Sequence, residues 1–390
     1  MRRGSGGRVH VALLIETSNA YARGLLHGIH DYSREHGGWS CYLGEQRRGE
    51  PAPRWLAKWR GDGIIARIEN AVIARVVRAL GVPAIDVSAA RTLPELPYVE
   101  TEDAAIAGLA AQHLIQRGFR HFGFCGDSRF NWSKAREEHF YKHIVAAGFD
   151  CRLYHPPDAA RRPISWERER ESLARWLRSL PRPVGIMAAY DIRGREVLDV
   201  CREIGINVPD EAAVLGVDND ELLCDLADPP LSSVIPDTRR TGYEAARLLD
   251  LMMAGRKIEP GAYLIPPLGI ATRDSTDVLA TDDTDISTAV RFIRSHATEG
   301  INVQDVLRVV PLSRRVLEAR FQKLLGRTPH EEITRTRLER VKELLTETDL
   351  SLTAIAHRTG YKHVEYLSVA FKRETGQSPG EYRVQYRKKR

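Results

Sequence analysis

The chain has 390 residues, 43% hydrophobic and 28% charged, a composition ordinary for a globular protein and a length that implies two or three domains. It lacks a run of about 18 apolar residues, which argues against a transmembrane helix, and its five cysteines have no paired close spacing, so neither a zinc site nor a disulfide framework is implied and a cytoplasmic setting is expected. The net charge of +6 is unevenly placed: residues 286–390 hold 21 Lys and Arg against 12 Asp and Glu, while the remainder holds 37 against 40. A positive excess confined to one end suits the neutralisation of phosphates.

At the N-terminus a positive stretch precedes an apolar one, but Val9 to Ile15 is short and lacks a small-residue cleavage pattern, so it reads as a buried strand. Further short apolar runs follow: GIIARI (63 to 68), PAIDVS (83 to 88), HFGFCG (121 to 126), GIMAAY (185 to 190) and AVLGVD (213 to 218). Each is expected to be a buried parallel strand followed by a helix, which gives doubly wound α/β layers. Ligands of such sheets bind beyond the carboxyl ends of the strands. The polar and aromatic residues found there are Glu16, Ser18, Asn19 and Tyr21, then Phe130, Trp132 and Arg136, then Asp191, then Asp218 and Asn219, with Glu102 and Asp103 after YVET. A neutral sugar needs apolar ring faces to stack on and charged planar groups that hydrogen-bond paired hydroxyls, and this set supplies both. Plainer roles stand beside these: Asp191 as a helix cap, Asp218 and Asn219 as turn formers, Tyr21 and Trp132 as core.

The segment STDVLATDDTDIS (275 to 287) is acidic and has no apolar stripe, so it reads as a linker, residues 276–285, between a domain over 8–275 and another over 286–390. In the second domain Leu317, Phe321, Gly326 and Pro329 recur fifty residues later as Leu367, Phe371, Gly376 and Pro379. A fixed period means one supersecondary unit used twice. Val303, Val306 and Leu307, and again Leu352, Ile355 and Ala356, form the stripe of a short helix upstream of each basic helix, the arrangement of a helix-turn-helix. Ser313 is the expected N-cap of the first basic helix, and Gly326 and Gly376 the expected stops. Pro311 stands in the first turn where a glycine would be comfortable, so a different turn geometry is expected there.

The ending SLTAIAHRTGYKHVEYLSVAFKRETGQSPGEYR (351 to 383) resembles the signature of the AraC-type transcription regulators. That resemblance implies a seven-helix domain whose two helix-turn-helix units are joined by a long helix, here Pro329 to Thr346. It also implies recognition helices that present Ser313, Arg314, Arg315 and Glu318, and His363, Val364, Glu365 and Ser368, to the major groove. HLIQRGFRHFGFCG (113 to 126), PVGIMAAYDIRGREVLDVCREIGINVPDEAAVLGVDND (183 to 220) and LSSVIPDTRRTGYEAARLLDLM (231 to 252) resemble the effector domain of the lactose-repressor type, which has the two-lobed fold of periplasmic sugar-binding proteins. By that resemblance Arg136, Asp191 and Asp218 fall where hydroxyl ligands lie and Trp132 where an aromatic wall stands, while Pro236 and Asp237 replace a frequent glutamine. The fold class expected is therefore a two-lobed α/β sensor of parallel sheets followed by an all-α domain with two helix-turn-helix motifs.

The implied partners are double-stranded operator DNA, a small sugar such as the pentose D-xylose, RNA polymerase and a second copy of the chain, with no membrane, metal or cofactor. The implied function is sugar-controlled transcription regulation. Two alternatives stand beside it: a constitutive or architectural DNA-binding protein whose front domain only dimerises, and a DNA-repair enzyme. Against an enzyme, no cysteine sits in a metal-like cluster and the phosphate-cradling GxxxxGK[ST] loop is missing.

Overall fold

Strands buried on both faces read as continuous apolar runs, and here they assemble into two parallel sheets. The computed structural model describes residues 8–44, 53–156, 165–278 and 283–386. It divides at Asp277 into two compact units, residues 115–119 aside. The first sheet is fed by β1 (His10–Leu14), α1 (Ala20–Glu35), β2 (Ser40–Leu43), β3 (Gly63–Ala66), α2 (Ala71–Leu80), β4 (Ala84–Asp86) and β5 (Pro97–Thr101). The chain then crosses along α3 (Asp103–Gln116) to β6 (His121–Cys125), α4 (Asn131–Ala146), β7 (Cys151–Tyr154), α5 (Trp166–Ser179) and β8 (Val184–Ala188). The second sheet continues with α6 (Asp191–Glu203), β9 (Ala212–Val217), α7 (Glu221–Asp225) and β10 (Ser232–Ile235). It returns through α8 (Thr238–Met253), which packs along α1, to β11 (Gly261–Ile265), and crosses once more to β12 (Gly269–Ala271).

The strand orders are β11-β5-β4-β3-β1-β2 and β12-β10-β9-β8-β6-β7, and among the described residues only the β10/β12 pair is antiparallel. The carboxyl ends of β1, β3, β4 and β5 thus share one rim, and those of β6, β8 and β9 share another. All six expected strands form. One expectation fails: no helix follows β4, and the chain runs through a loop straight into β5. Ser275 and Thr276 do not act as linker but as part of this unit, fully buried, with Ser275 Oγ donating to Val214 O (2.6 Å) and Thr276 Oγ1 to Ser232 Oγ (2.7 Å). Residues 279–282 of the expected linker lie outside the described residues.

The second unit holds seven helices among its described residues: α9 (Thr284–His296), α10 (Val303–Leu307), α11 (Arg314–Leu325), α12 (Pro329–Glu347), α13 (Leu352–Arg358), α14 (Val364–Thr375) and α15 (Pro379–Tyr386). Helix begins at Thr284, two residues before the expected domain start, because Asp283 caps it by accepting from Ile286 N. The fifty-residue repeat becomes two small cores, one around Leu317 and Phe321, the other around Leu367 and Phe371, bridged by α12. Thr328 with Glu331, and fifty residues on Ser378 with Glu381, make the same reciprocal cap. One position beyond, the copies diverge. Glu332 is fully buried and accepts from Arg294, Arg327 and Arg335, whereas Tyr382 sets its ring edge-on to Phe371.

The two turns also differ, as Pro311 led one to expect. No residue from Arg308 to Ser313 takes a positive φ, while the second turn needs Gly360 at φ 75°. A Cβ at Gly360 would meet Gly300 N at 2.8 Å and Ala297 O at 2.9 Å, so only glycine lets this turn close onto the loop that precedes α10. Arg337 of α12 secures the same loop, its Nε donating to Ala297 O (2.8 Å) and an Nη to Ile301 O (2.7 Å). The two helix-turn-helix units are thereby joined by more than the connecting helix.

Candidate functional site

The rims of the two sheets in the first unit bring together a cluster of charged and aromatic side chains. Arg136, one turn into α4, is 3% exposed. Its Nε donates to Asp103 Oδ1 (2.8 Å), one Nη donates to Ala189 O (2.6 Å), and the same Nη lies 3.9 Å from Asp218 Oδ1. Burial disfavours the guanidinium, but Asp103 and Asp218 outweigh it and raise its pKa. For Asp103 the balance goes the other way: burial raises the carboxyl despite Arg136. Trp132 stacks on Phe130 (5.2 Å between centroids), meets Tyr190 edge-on (5.3 Å) and receives the Arg136 guanidinium 5.0 Å from its ring centre. An aromatic wall therefore stands beside a fixed fork of hydrogen-bond donors.

Asp218 and Asn219 both take positive φ (107° and 46°), so they do shape a turn. That turn is held by Asp191, the first residue of α6, whose buried carboxylate accepts from Asp220 N (2.8 Å) and Ser233 Oγ (2.6 Å). Burial, and then the charge of Asp218, push its pKa up. Gly216 leaves room for this carboxylate, since a Cβ there would lie 2.3 Å from Asp191 Oδ1. Asn219 turns its Oδ1 to Arg273 (3.0 Å) and Asn19 caps α1 by accepting from Ala22 N (2.8 Å), so both are tied to their own neighbourhoods. Ser18 is exposed, Glu102 half-buried at the start of α3, and Asp237 caps α8. Arg23 of α1 lies 3.8 Å from Asp220, and Asn131 donates to Ala90 O (3.4 Å), so the two lobes touch at both these points.

In the first lobe, sequence reasoning reached Glu16 and Tyr21 but missed Arg67, Asp86 and Glu100. Arg67, just past β3, pairs with Glu16 (2.5 Å) and Glu69 (3.0 Å), and Tyr21 donates to Glu100 (3.1 Å). Burial raises Glu100 to about 8 and Asp86 to about 7, favouring the protonated form of each relative to an exposed carboxyl. Arg67 Nε and Asp86 Oδ2 are buried with no hydrogen-bond partner among the described residues. The signal was present: Arg67 and Asp86 are the charged residues inside the apolar runs GIIARI and PAIDVS. Protonated carboxyls donate, ionised ones accept and guanidinium forks donate in pairs, which is the chemistry for a polyhydroxylated ring.

In the second unit, Leu317, Phe321, Leu367 and Phe371 are fully buried, and Gly326 and Gly376 end α11 and α14 in left-handed conformations. On α11, Ser313 Oγ is the cap, accepting from Val316 N, and Arg314 donates along the helix to Glu318 (2.9 Å). Arg315 is exposed and makes no ion pair among the described residues. On α14, Val364 packs against the core around Leu367 instead of facing outward, and Ser368 Oγ donates back to Val364 O (3.0 Å). His363 and Glu365 are exposed, joined by Tyr366 and Val369, which sequence reasoning did not single out.

Comparison with known proteins covers nearly the whole chain. Residues 10–104 match the XylR N-terminal domain, 111–276 the periplasmic binding protein-like domain, and 306–385 a helix-turn-helix domain. The xylose operon regulatory protein of Escherichia coli (strain K12) is 32% identical over 384 residues, 96% of this chain and 97% of that protein. Its Haemophilus influenzae counterpart is 31% identical over 382 residues, 96% and 98% of the two chains. Among solved structures, that of the xylose-binding transcription activator xylR superposes with a TM-score of 0.64 at 32% identity, over 98% of this chain and 99% of that one. No helix of the described residues is long and apolar enough to cross a membrane.

Proposed function

Because the chain belongs to the family of the xylose operon regulatory proteins, DNA-binding transcription regulators with a sugar-sensing front end and an AraC-type reader, we propose that its effector is a pentose, D-xylose first. Arg136, Asp103, Asp218, Asp191 and the Trp132 wall hold one side of the sugar, and Glu16, Arg67, Asp86, Glu100 and Tyr21 the other. The observation that carries this reading is Arg136, buried between Asp103 and Asp218 against an aromatic ring, an arrangement costly to keep unless the fork has a task. The carboxylates serve as hydroxyl ligands and not as an acid/base pair, so the protein is a regulator without turnover, acting in the cytoplasm where its operator lies.

We further propose a homodimer. Leu222 on α7 and Leu226 just past its end are 68% and 64% exposed, shortly after the Asp218–Asn219 turn, so ligand at the turn is positioned to bias contacts made by that surface. Contact with RNA polymerase follows only from analogy with regulators that activate. Ligand shifts such an assembly only through unequal affinity for its two arrangements. A thermal-shift screen of the full chain against pentoses, hexoses and their phosphates tests the reading. D-xylose is expected to raise the first melting midpoint; a shift with none of these sugars sinks the sensor assignment.

A further inference from the structure

The fifty-residue repeat permits a position-by-position comparison of the two readers. Arg315 of α11 corresponds to Glu365 of α14, Val316 to Tyr366, and Ala319 to Val369. The first helix thus offers a long donor at its exposed start. The second offers two large apolar groups, Tyr366 at 67% and Val369 at 68% exposure, three residues apart and so on one face. Their helix does not lack a core: Leu367 and Phe371 point the other way and are fully buried. His363 meets the Tyr366 ring edge-on at 5.7 Å, and exposed Lys362, Lys372 and Arg373 flank the pair.

An apolar stripe framed by cations complements a surface of methyl groups framed by phosphates. We propose that Tyr366 and Val369 read thymine methyl groups in the major groove, so that the second reader selects A·T pairs by apolar contact while the first selects guanine through Arg315. The proposal rests on the assignment of α14 as a DNA-reading helix and specifies its substrate. In the major groove thymine differs from every other base in its C5-methyl, and guanine presents two acceptors to an arginine fork. Reading by apolar contact also explains why the exposed start of α14 carries Glu365 rather than a basic residue where α11 has Arg315.

The test uses the full-length protein and a duplex selected by it from a randomised library. Each thymine is replaced in turn by deoxyuridine, which removes only the methyl, and affinity is read by gel shift. At one or two thymines the wild type is expected to lose about fourfold, the value of one buried methyl. Val369→Ala or Tyr366→Ala should bind the thymine and uracil duplexes alike at those positions. Arg315→Ala should weaken binding yet leave the uridine effect intact, and its own sensitive base should lie about one helical turn, roughly 34 Å, from the uridine-sensitive ones. Uridine effects that are absent, or equal in the wild type and both alanine variants, overturn the proposal. So does a change in assembly mass with Val369→Ala and no uridine effect, which assigns the stripe to a protein contact. Selection of no duplex at all contradicts the DNA-reading assignment itself, a separate and earlier failure.

Discussion

Arg136→Ala is expected to abolish the sugar response and to destabilise the sensor by about 3–5 kcal/mol, the usual consequence of removing one partner from a buried ionic group. The size follows from what the guanidinium leaves behind. Asp103 loses a 2.8 Å bond, Ala189 O loses an Arg136 hydrogen bond, and Asp218 loses the charge 3.9 Å away, around a guanidinium that is itself buried. Arg136→Lys separates the two effects. Lysine restores a charge but has no planar fork, so part of the stability should return while the ligand-induced melting shift should not. A lysine variant with a normal shift for D-xylose would show that the fork does not hold the sugar.

Glu332→Gln is expected to cost the reader a comparable amount, again about 3–5 kcal/mol, with no change in the sensor's transition. Three guanidiniums converge on this fully buried carboxylate, those of Arg294, Arg327 and Arg335. Burial alone would raise its pKa, but the hydrogen bond and charge of Arg335, with Arg294 and Arg327, overcome it and hold it at about 2. A depressed carboxyl contributes stability that is full above its unfolded value of 4.5 and lost as pH falls through about 2. The wild-type reader should therefore weaken across that window, and the glutamine variant should be less stable at neutral pH and flatter there. Helical circular dichroism during urea unfolding at several pH values measures both. Equal midpoints for variant and wild type at pH 7 would show that the cluster is not structural.

The strands legible in the sequence were the central ones, because burial on both faces leaves an uninterrupted apolar run. Those not legible were β2, β7, β11 and β12 at the sheet edges, where most side chains are half-buried or exposed and no continuous apolar run is needed, and β10, whose buried Ser232 and Ser233 are polar yet satisfied by Arg273 O and Asp191. β5 was not among the expected strands, since YVET interleaves charge with apolar residues, and its Glu100 is at once a strand residue and a site residue. In the reader, periodicity located both helix-turn-helix units and both buried pairs. It could not tell that Val364 turns inward while Tyr366 and Val369 turn outward, since apolar residues lie on both faces of α14 and only packing assigns them.

In the cleft, residues after strands were found by the rule that parallel sheets bind ligands at their carboxyl ends. Applied to the second lobe, that rule yielded Arg136, Asp191 and Asp218. In the first lobe the charged residues fall within or directly behind the strands, and a reading that waited for the strand to end passed over Arg67 and Asp86.

The most direct test of a sensor coupled to a reader is the affinity of the full-length protein for its selected operator duplex, measured with and without saturating D-xylose. Coupling free energies of this kind are typically about 1–3 kcal/mol, so the two affinities are expected to differ by roughly 5-fold or more. Superimposable titrations at saturating sugar would contradict the account.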